Sequence, residues 1–181
     1  MAHIQQYKFI DRLKTKFPNQ FRNKKVLEVG SANLDGSMRF FFRNCDYLGI
    51  DVASAPGVDL VCEGQNLDHP NETYDTVASG ECFEHNPYWA ETFINMHRVT
   101  KVGGLIFMTC GTTGRPEHGT SKVRPWASPL TVAKGWEYYK NLTEEDFRSI
   151  MDIDSMFSEY EFEVDAPHCD LYFYGIKKEI V

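Results

Sequence analysis

The sequence predicts an α/β fold: a mostly parallel sheet with helices on both faces, followed by a C-terminal antiparallel strand pair. Three observations carry this expectation. Short apolar runs alternate with segments of helical period through residue 110. Three of the runs close on a glycine or an acid, at Gly30, Asp51 and Glu63. The last two runs, 159–165 and 171–177, alternate with period two around Ala166-Pro167-His168. Strands alternating with helices form parallel sheets, and period-two runs joined by a short turn form antiparallel pairs.

In chain order, Ile4, Tyr7, Ile10, Leu13 and Phe17 recur at helical spacing, so 4–17 is expected to be an amphipathic helix stopped by Pro18. Val26-Leu27-Glu28-Val29 is a strand; a small-residue loop follows, then a helix over 37–43. Runs 47–50, 58–61 and 74–78 are three further strands. Asn86-Pro87, an N-cap followed by proline, opens a helix to about Arg98, and Lys101-Val102-Gly103-Gly104 ends it. The run 105–110 is apolar throughout, as a strand covered on both faces must be. From Gly111 to Lys140 periodicity fails, and a loop this long usually has a function. Thr143-Glu144-Glu145-Asp146 then starts a helix to about Phe157, with threonine as N-cap and acids in the first turn.

Composition narrows the function. The chain has 181 residues, 42% hydrophobic and 25% charged, within reach of one domain spanning 1–181 with its own core. No apolar run has the length of a spanning helix, and the first residues lack a signal-peptide layout, so a soluble, cytoplasmic protein with no membrane partner is expected. The net charge of −7 argues against nucleic acid as a partner, although residues 1–25 hold seven basic side chains and one acid. Five cysteines without a C-x-x-C pair fit neither a disulfide framework nor a zinc site.

Ligands of such sheets bind beyond the carboxyl ends of the strands, so the chemistry is expected there. After the first strand, Gly30-Ser31-Ala32-Asn33-Leu34-Asp35-Gly36 is a turn whose backbone a ligand can approach closely. Asp51, 23 positions beyond Glu28, ends the second strand, where a carboxylate can accept both hydroxyls of a ribose. Val52 follows it. Glu63, Gly64 and Gln65 after the third strand are placed to reach a purine edge, and Ser79, Gly80 and Glu81 to form the floor.

These residues resemble the class I S-adenosylmethionine-dependent methyltransferases, which have a Rossmann-like fold. The likeness runs from about Lys24 to Thr109 through Val26-Leu27-Glu28-Val29-Gly30, Gly49-Ile50-Asp51, Tyr74-Asp75-Thr76-Val77-Ala78, Glu84-His85 and Lys101-Val102-Gly103-Gly104-Leu105. It is greatest to small stand-alone members carrying Gly114-Arg115-Pro116-Glu117-His118-Gly119-Thr120 and Tyr138-Tyr139-Lys140-Asn141-Leu142-Thr143. The resemblance implies S-adenosyl-L-methionine as cofactor and S-adenosyl-L-homocysteine as product. It also implies Glu28 near the methionine ammonium, Gly30 and its loop around the methionine end, Asp51 on the ribose and Glu63-Gly64 beside adenine. Two further glycines of the usual loop are replaced by Ala32 and Leu34, which leaves Asn33, Asp35 and Gly36 to shape the turn.

The reading that follows is methyl transfer to a small polar acceptor, such as a sugar or glycan precursor. Glu81, His85 and His118 are the candidate bases for a protonated acceptor. Arg115, Glu117, Trp126 and Tyr138 are the candidate acceptor contacts, with Trp136 beside Trp126 to cover a sugar face; the 1–24 helix with Tyr7 is a candidate lid. Two rivals remain. An NAD-dependent oxidoreductase also suits acid-ended strands but lacks G-x-G-x-x-G. A binding module that keeps the pocket without turnover would use 111–140 to dock a protein. Asn86-Pro87-Tyr88-Trp89 is a helix cap in this reading, not an amino-methyltransferase motif. Tyr174 and Lys178 share the Y-x-x-x-K spacing of short-chain dehydrogenases but sit in a strand pattern. Glu81-Cys82-Phe83-Glu84-His85 lacks the first histidine of H-x-x-E-H, so no metal site is expected.

Overall fold

The computed structural model describes residues 4–179. Its sheet has seven strands: β1 (Lys25–Val29), β2 (Asp46–Asp51), β3 (Leu60–Val61), β4 (Tyr74–Gly80), β5 (Thr100–Gly111), β6 (Phe157–Asp165) and β7 (Asp170–Lys177). The spatial order is β3-β2-β1-β4-β5-β7-β6. The first five pair in parallel, and β7 runs antiparallel to both β5 and β6. Strand order reverses between β1 and β4, where Val29 pairs with Ser79, so the loops after these strands diverge and leave a crevice.

Helices cover both faces. The first, α1 (Ile4–Lys16), buries Phe9, Ile10 and Leu13 on a 3.6-residue stripe, and Phe9 stacks on Tyr172 of β7 with ring centroids 4.9 Å apart. On the other face, α2 (Trp89–Val99) buries Phe93 against Phe147 at 5.0 Å and Phe173 at 5.6 Å. Each such ring is worth about 1.5–3 kcal/mol of burial, so both helices are fixed by their apolar stripes. Between β5 and β6 lie α3 (Pro129–Ala133), α4 (Glu144–Ile150) and α5 (Ile153–Met156). Among the described residues no helix is long and apolar enough to cross a membrane.

Five local expectations are corrected. The helix over 37–43 is only a 3-10 turn, Met38–Phe41. Its aromatic rings serve different neighbours: Phe41 meets Tyr7, whereas Phe42 stacks on Phe21, and an extended Phe42 lets Arg43 N–H bond the Phe21 carbonyl at 2.9 Å. The strand expected over 58–61 is reduced to Leu60–Val61. The second helix starts at Trp89, because the Asn86 side-chain oxygen instead accepts the Tyr88 N–H at 2.8 Å and closes a separate turn. Lys101–Gly104 is not a helix stop but the first stretch of β5, irregular in register against β4 and with Gly103 at φ +73. The helix expected to reach Phe157 breaks at an extended Met151, since Asp152 caps a separate α5 by accepting the Ser155 N–H. Its beginning is as expected: Asp146 Oδ2 accepts the Thr143 N–H at 2.9 Å.

Candidate active site

The crevice opens into a cavity at the carboxyl ends of β1, β2, β4 and β5, with about 840 Å3 of space counted out to the solvent at its mouth. Glu28, Gly30 and Asp51 form one wall; Gly80, Glu81, Cys82 and Thr109 form the floor. Tyr7 and Ile10 of α1 close one side, and Ala127–Thr131, leading into α3, close another. A smaller space of about 330 Å3 shares Gly30, Asp51, Cys82 and Thr131 with it and extends to Val52, Gly64 and Trp136.

The β1 loop is shaped by backbone demands. Gly30, at φ +79, packs so tightly on Cys82 that a Cβ there would lie 2.7 Å from the Cys82 Cβ. Its N–H and that of Ser31 both donate to the Ile50 carbonyl, at 2.9 and 3.0 Å, tying the loop to β2. Further along, Asn33 Oδ1 accepts the Gly36 N–H at 3.0 Å and makes the turn that the absent glycines do not.

Two carboxylates are fixed on the wall. Asp51 accepts the Ala32 N–H at 3.0 Å and the Val52 N–H at 2.7 Å, one on each oxygen. Burial raises its pKa and those two N–H groups oppose the rise. Glu28 accepts the Tyr47 hydroxyl at 2.6 Å. Burial pushes its pKa up to about 7, against the pull of that bond.

The other residues singled out from the sequence divide by place. Gly36 and Gly80 line the large cavity, Val52 and Gly64 the small one. Ser31 is buried, its hydroxyl without a hydrogen-bond partner. Ser79 donates to the Val29 carbonyl at 2.9 Å inside the sheet. Glu63 accepts from Gln65 at 2.7 Å and pairs with Lys134 at 2.7 Å, and neither Glu63 nor Gln65 lines the two spaces.

Glu81 and His85 face the large cavity, whereas His118 stands behind His85, ring centroids 4.8 Å apart. Glu81 adopts φ +50, a conformation that side chains other than glycine rarely hold. Burial, then the charge of Glu84, raises its pKa. Burial pushes His85 down to about 3 and His118 to about 4, so both rings are neutral at pH 7.

None of Arg115, Glu117, Trp126 and Tyr138 lines the cavity. Arg115 bridges Asp170 at 3.0 Å and Glu81 at 3.6 Å. Glu117 accepts the Thr120 hydroxyl at 2.9 Å, Trp126 is 68% exposed, and Tyr138 packs beside the core. The sequence reading missed Met38, Cys82 and Thr109, and within the 111–140 loop, expected on the acceptor side, it named Trp126 instead of the neighbouring Ala127–Thr131. Pro125 and Pro129, each opening a helical turn, were the available signal of order in that loop.

A family model described as a methyltransferase domain matches residues 1–172. The chain belongs to that family. No curated protein matches it in sequence. In fold, the methyltransferase domain is similar to 1,6-didemethyltoxoflavin-N1-methyltransferase of Burkholderia thailandensis, solved with 1,6-didemethyltoxoflavin and S-adenosylhomocysteine. That match has a TM-score of 0.60 at 12% identity, over 99% of this chain and 92% of the other. It is also similar to phosphoethanolamine N-methyltransferase 2 of Haemonchus contortus, solved with phosphomonomethylethanolamine and S-adenosylhomocysteine: TM-score 0.66, 14% identity, over 96% of this chain but 53% of that one. A Thermotoga maritima methyltransferase described as a possible histamine N-methyltransferase gives 0.58 at 13% identity, over 94% and 97% of the two chains. At these identities the likeness establishes the fold, and the methyltransferase domain spans about half of the Haemonchus chain.

Proposed function

We propose that this methyltransferase domain moves a methyl group from S-adenosyl-L-methionine to a small polar acceptor in the 840 Å3 cavity and releases S-adenosyl-L-homocysteine. The observation that carries the reading is the pair of fixed carboxylates, Glu28 and Asp51, on one wall of a cavity at the strand-order reversal. Family membership and the S-adenosylhomocysteine bound in the Burkholderia and Haemonchus structures support it.

The residues fit this cofactor. Asp51 keeps lone pairs for a ribose after accepting two backbone N–H groups, and the smaller space past Gly64 offers a slot for a flat base. Glu28 offers negative charge to an ammonium, which would favour its ionised form. Bound, the cofactor supplies a methyl group already activated on a sulfonium.

What remains for the protein is alignment and exclusion of water, served by α1 and the Ala127–Thr131 cover. Glu81, which faces the cavity, is the group placed to take a proton from a hydroxyl or amine acceptor. Trp126 lies too exposed to wall a sugar ring in this cavity, so the acceptor class proposed is the broader one.

Titration calorimetry with S-adenosylhomocysteine tests the reading. The wild type should bind, and Asp51→Ala should lose about 2–5 kcal/mol through two charge-assisted hydrogen bonds. A folded wild type that does not bind would overturn the proposal.

A further inference from the structure

Buried polar side chains in native proteins nearly always have partners, and a group of orphans calls for a water or an ion. At the cavity floor several orphans lie together. Neither carboxylate oxygen of Glu84 nor either ring nitrogen of His85 has a hydrogen-bond partner. Both residues are almost wholly buried, at 0% and 2% exposure, and His118 beside them is at 7%. The backbone N–H groups of Glu84 and Gly111 lie near enough to favour the Glu84 charge, yet burial outweighs them.

One ligating atom from each of Glu84, His85 and His118 falls within 4.8 Å of the other two. Ligands at 2.0–2.2 Å around one tetrahedral ion lie about 3.3–3.6 Å apart, so binding would draw the three side chains together by ~1 Å. His118 is already oriented for the task. A carbonyl can only accept, so the contact between its Nδ1 and the Pro116 carbonyl at 3.0 Å makes Nδ1 the donor and leaves Nε2 with a free lone pair. Ligating histidines are commonly held this way, the second nitrogen donating to a backbone carbonyl.

Charge balance points in the same direction. Glu81 and Glu84 are buried close enough to repel one another. Among the described residues the guanidinium that serves Glu81 is Arg115, at 3.6 Å, and it is shared with Asp170. Two neighbouring buried carboxylates are costly to ionise together, and a cation bound beside Glu84 lowers that cost.

We propose that Glu84, His85 and His118 bind one divalent cation, most suitably a first-row transition ion such as Mn2+ or Zn2+, at the floor of the cavity. Two imidazoles with a carboxylate match that class better than magnesium. Three protein ligands are the number found where a coordination position stays open, and His85 borders the cavity, within reach of water or an acceptor oxygen. Sequence inspection misses the set because Glu84 and His85 are adjacent, whereas His118 arrives from the loop after β5 and no short motif spans them. A role for the ion in methyl transfer rests on the transferase reading above; its binding does not.

Titration of the metal-stripped chain with Mn2+ alone, followed by the electron paramagnetic resonance of free Mn2+, tests this directly. Manganese avoids confusion with the cysteine thiols, which favour softer ions. One saturable site per chain is expected. Glu84→Gln and His118→Gln should each weaken it by at least ~100-fold, since losing even an outer partner of a ligand costs 10–100-fold. Melting temperature and S-adenosylhomocysteine titration on the same samples establish folding, and His118→Gln carries the test if Glu84→Gln does not fold. Wild type that takes up no Mn2+, or folded variants that bind it as well as wild type, overturn the cation site. A chain that binds Mn2+ but not S-adenosylhomocysteine keeps the site and removes the transferase reading instead.

Discussion

The hydroxyl of Tyr7 rests on the backbone of Gly36: a Cβ at position 36 would lie 1.7 Å from that oxygen. This contact joins α1 to the loop after β1, so the wall of the cavity depends on a residue having no side chain. Gly36 also holds φ +143, which strains any other residue.

Gly36→Ala should therefore push Tyr7 aside and loosen α1 over the cavity. Stability is expected to fall by about 1–3 kcal/mol, the usual cost of forcing atoms into packed space. Affinity for S-adenosylhomocysteine should fall by ~10-fold, or about 1.4 kcal/mol. Calorimetry on Gly36→Ala and on Tyr7→Ala checks the pair; unchanged affinity in both would show that α1 is not part of the binding wall.

The mostly parallel sheet, its C-terminal antiparallel pair and the cavity position were legible because they rest on period and on strand ends. Val26–Val29 and 105–110 can only be covered strands, and Asp51 falls at a strand end whichever helix follows. The short 37–43 segment was not legible: Phe40, Phe41 and Phe42 carry enough apolar surface for a helix, and only the positions of Tyr7 and Phe21 decide that the chain extends there. The same holds for the site. Glu84 was read only as part of a local motif, and His85 and His118 as candidate bases, because sequence spacing holds no trace of the meeting of all three that the β5 loop brings about.

Arg115 was expected to touch an acceptor, and its position predicts something else. It sits between buried Asp170, at 3.0 Å, and Glu81, at 3.6 Å, with one Nη1–H also bonding the His168 carbonyl at 2.7 Å. Arg115→Met keeps the stem and removes the charge. It should cost roughly 3–5 kcal/mol, the range for stripping a partner from a buried ion pair. Urea unfolding at pH 7 measures this, and a loss below about 1 kcal/mol would show that the guanidinium is not what neutralises the pair.

Glu28 makes the cavity wall sensitive to alkaline pH. Its folded pKa, about 7, lies above the unfolded value near 4.5, so the fold favours the neutral acid. Its contribution is fully present below pH 4.5 and is lost as pH rises through 7, by on the order of 3 kcal/mol. Glu28→Gln, a neutral isostere whose oxygen can still accept from Tyr47, should match wild type at pH 4 and melt higher at pH 8 without ligand. Melting curves across that range decide it; parallel curves for the two proteins would place the Glu28 pKa near its ordinary value.

His97 gives the opposite dependence on the other face of the sheet. Its ring, on α2, meets Phe157 edge-on at 5.4 Å, and its Nε2 is buried without a partner. Burial first, then the ammonium of Lys177, holds its pKa down to about 4, although the Met156 carbonyl favours the charged ring. The unfolded chain takes up this proton near pH 6.5 and the folded chain does not. The stability His97 leaves intact above pH 6.5 is therefore lost as pH falls towards 4. With allowance for solvent screening of a ring at the edge of the core, the loss at pH 5 is about 1 kcal/mol. His85 and His118 act in the same direction, so wild type weakens in acid whatever is done at position 97. The informative quantity is the difference between wild type and His97→Leu in urea unfolding at pH 7 and pH 5. That difference should move by about 1 kcal/mol in favour of His97→Leu on going to pH 5. A difference that stays constant would mean that His97 titrates alike in the folded and unfolded chains, and that the acid sensitivity resides with the two histidines under the cavity.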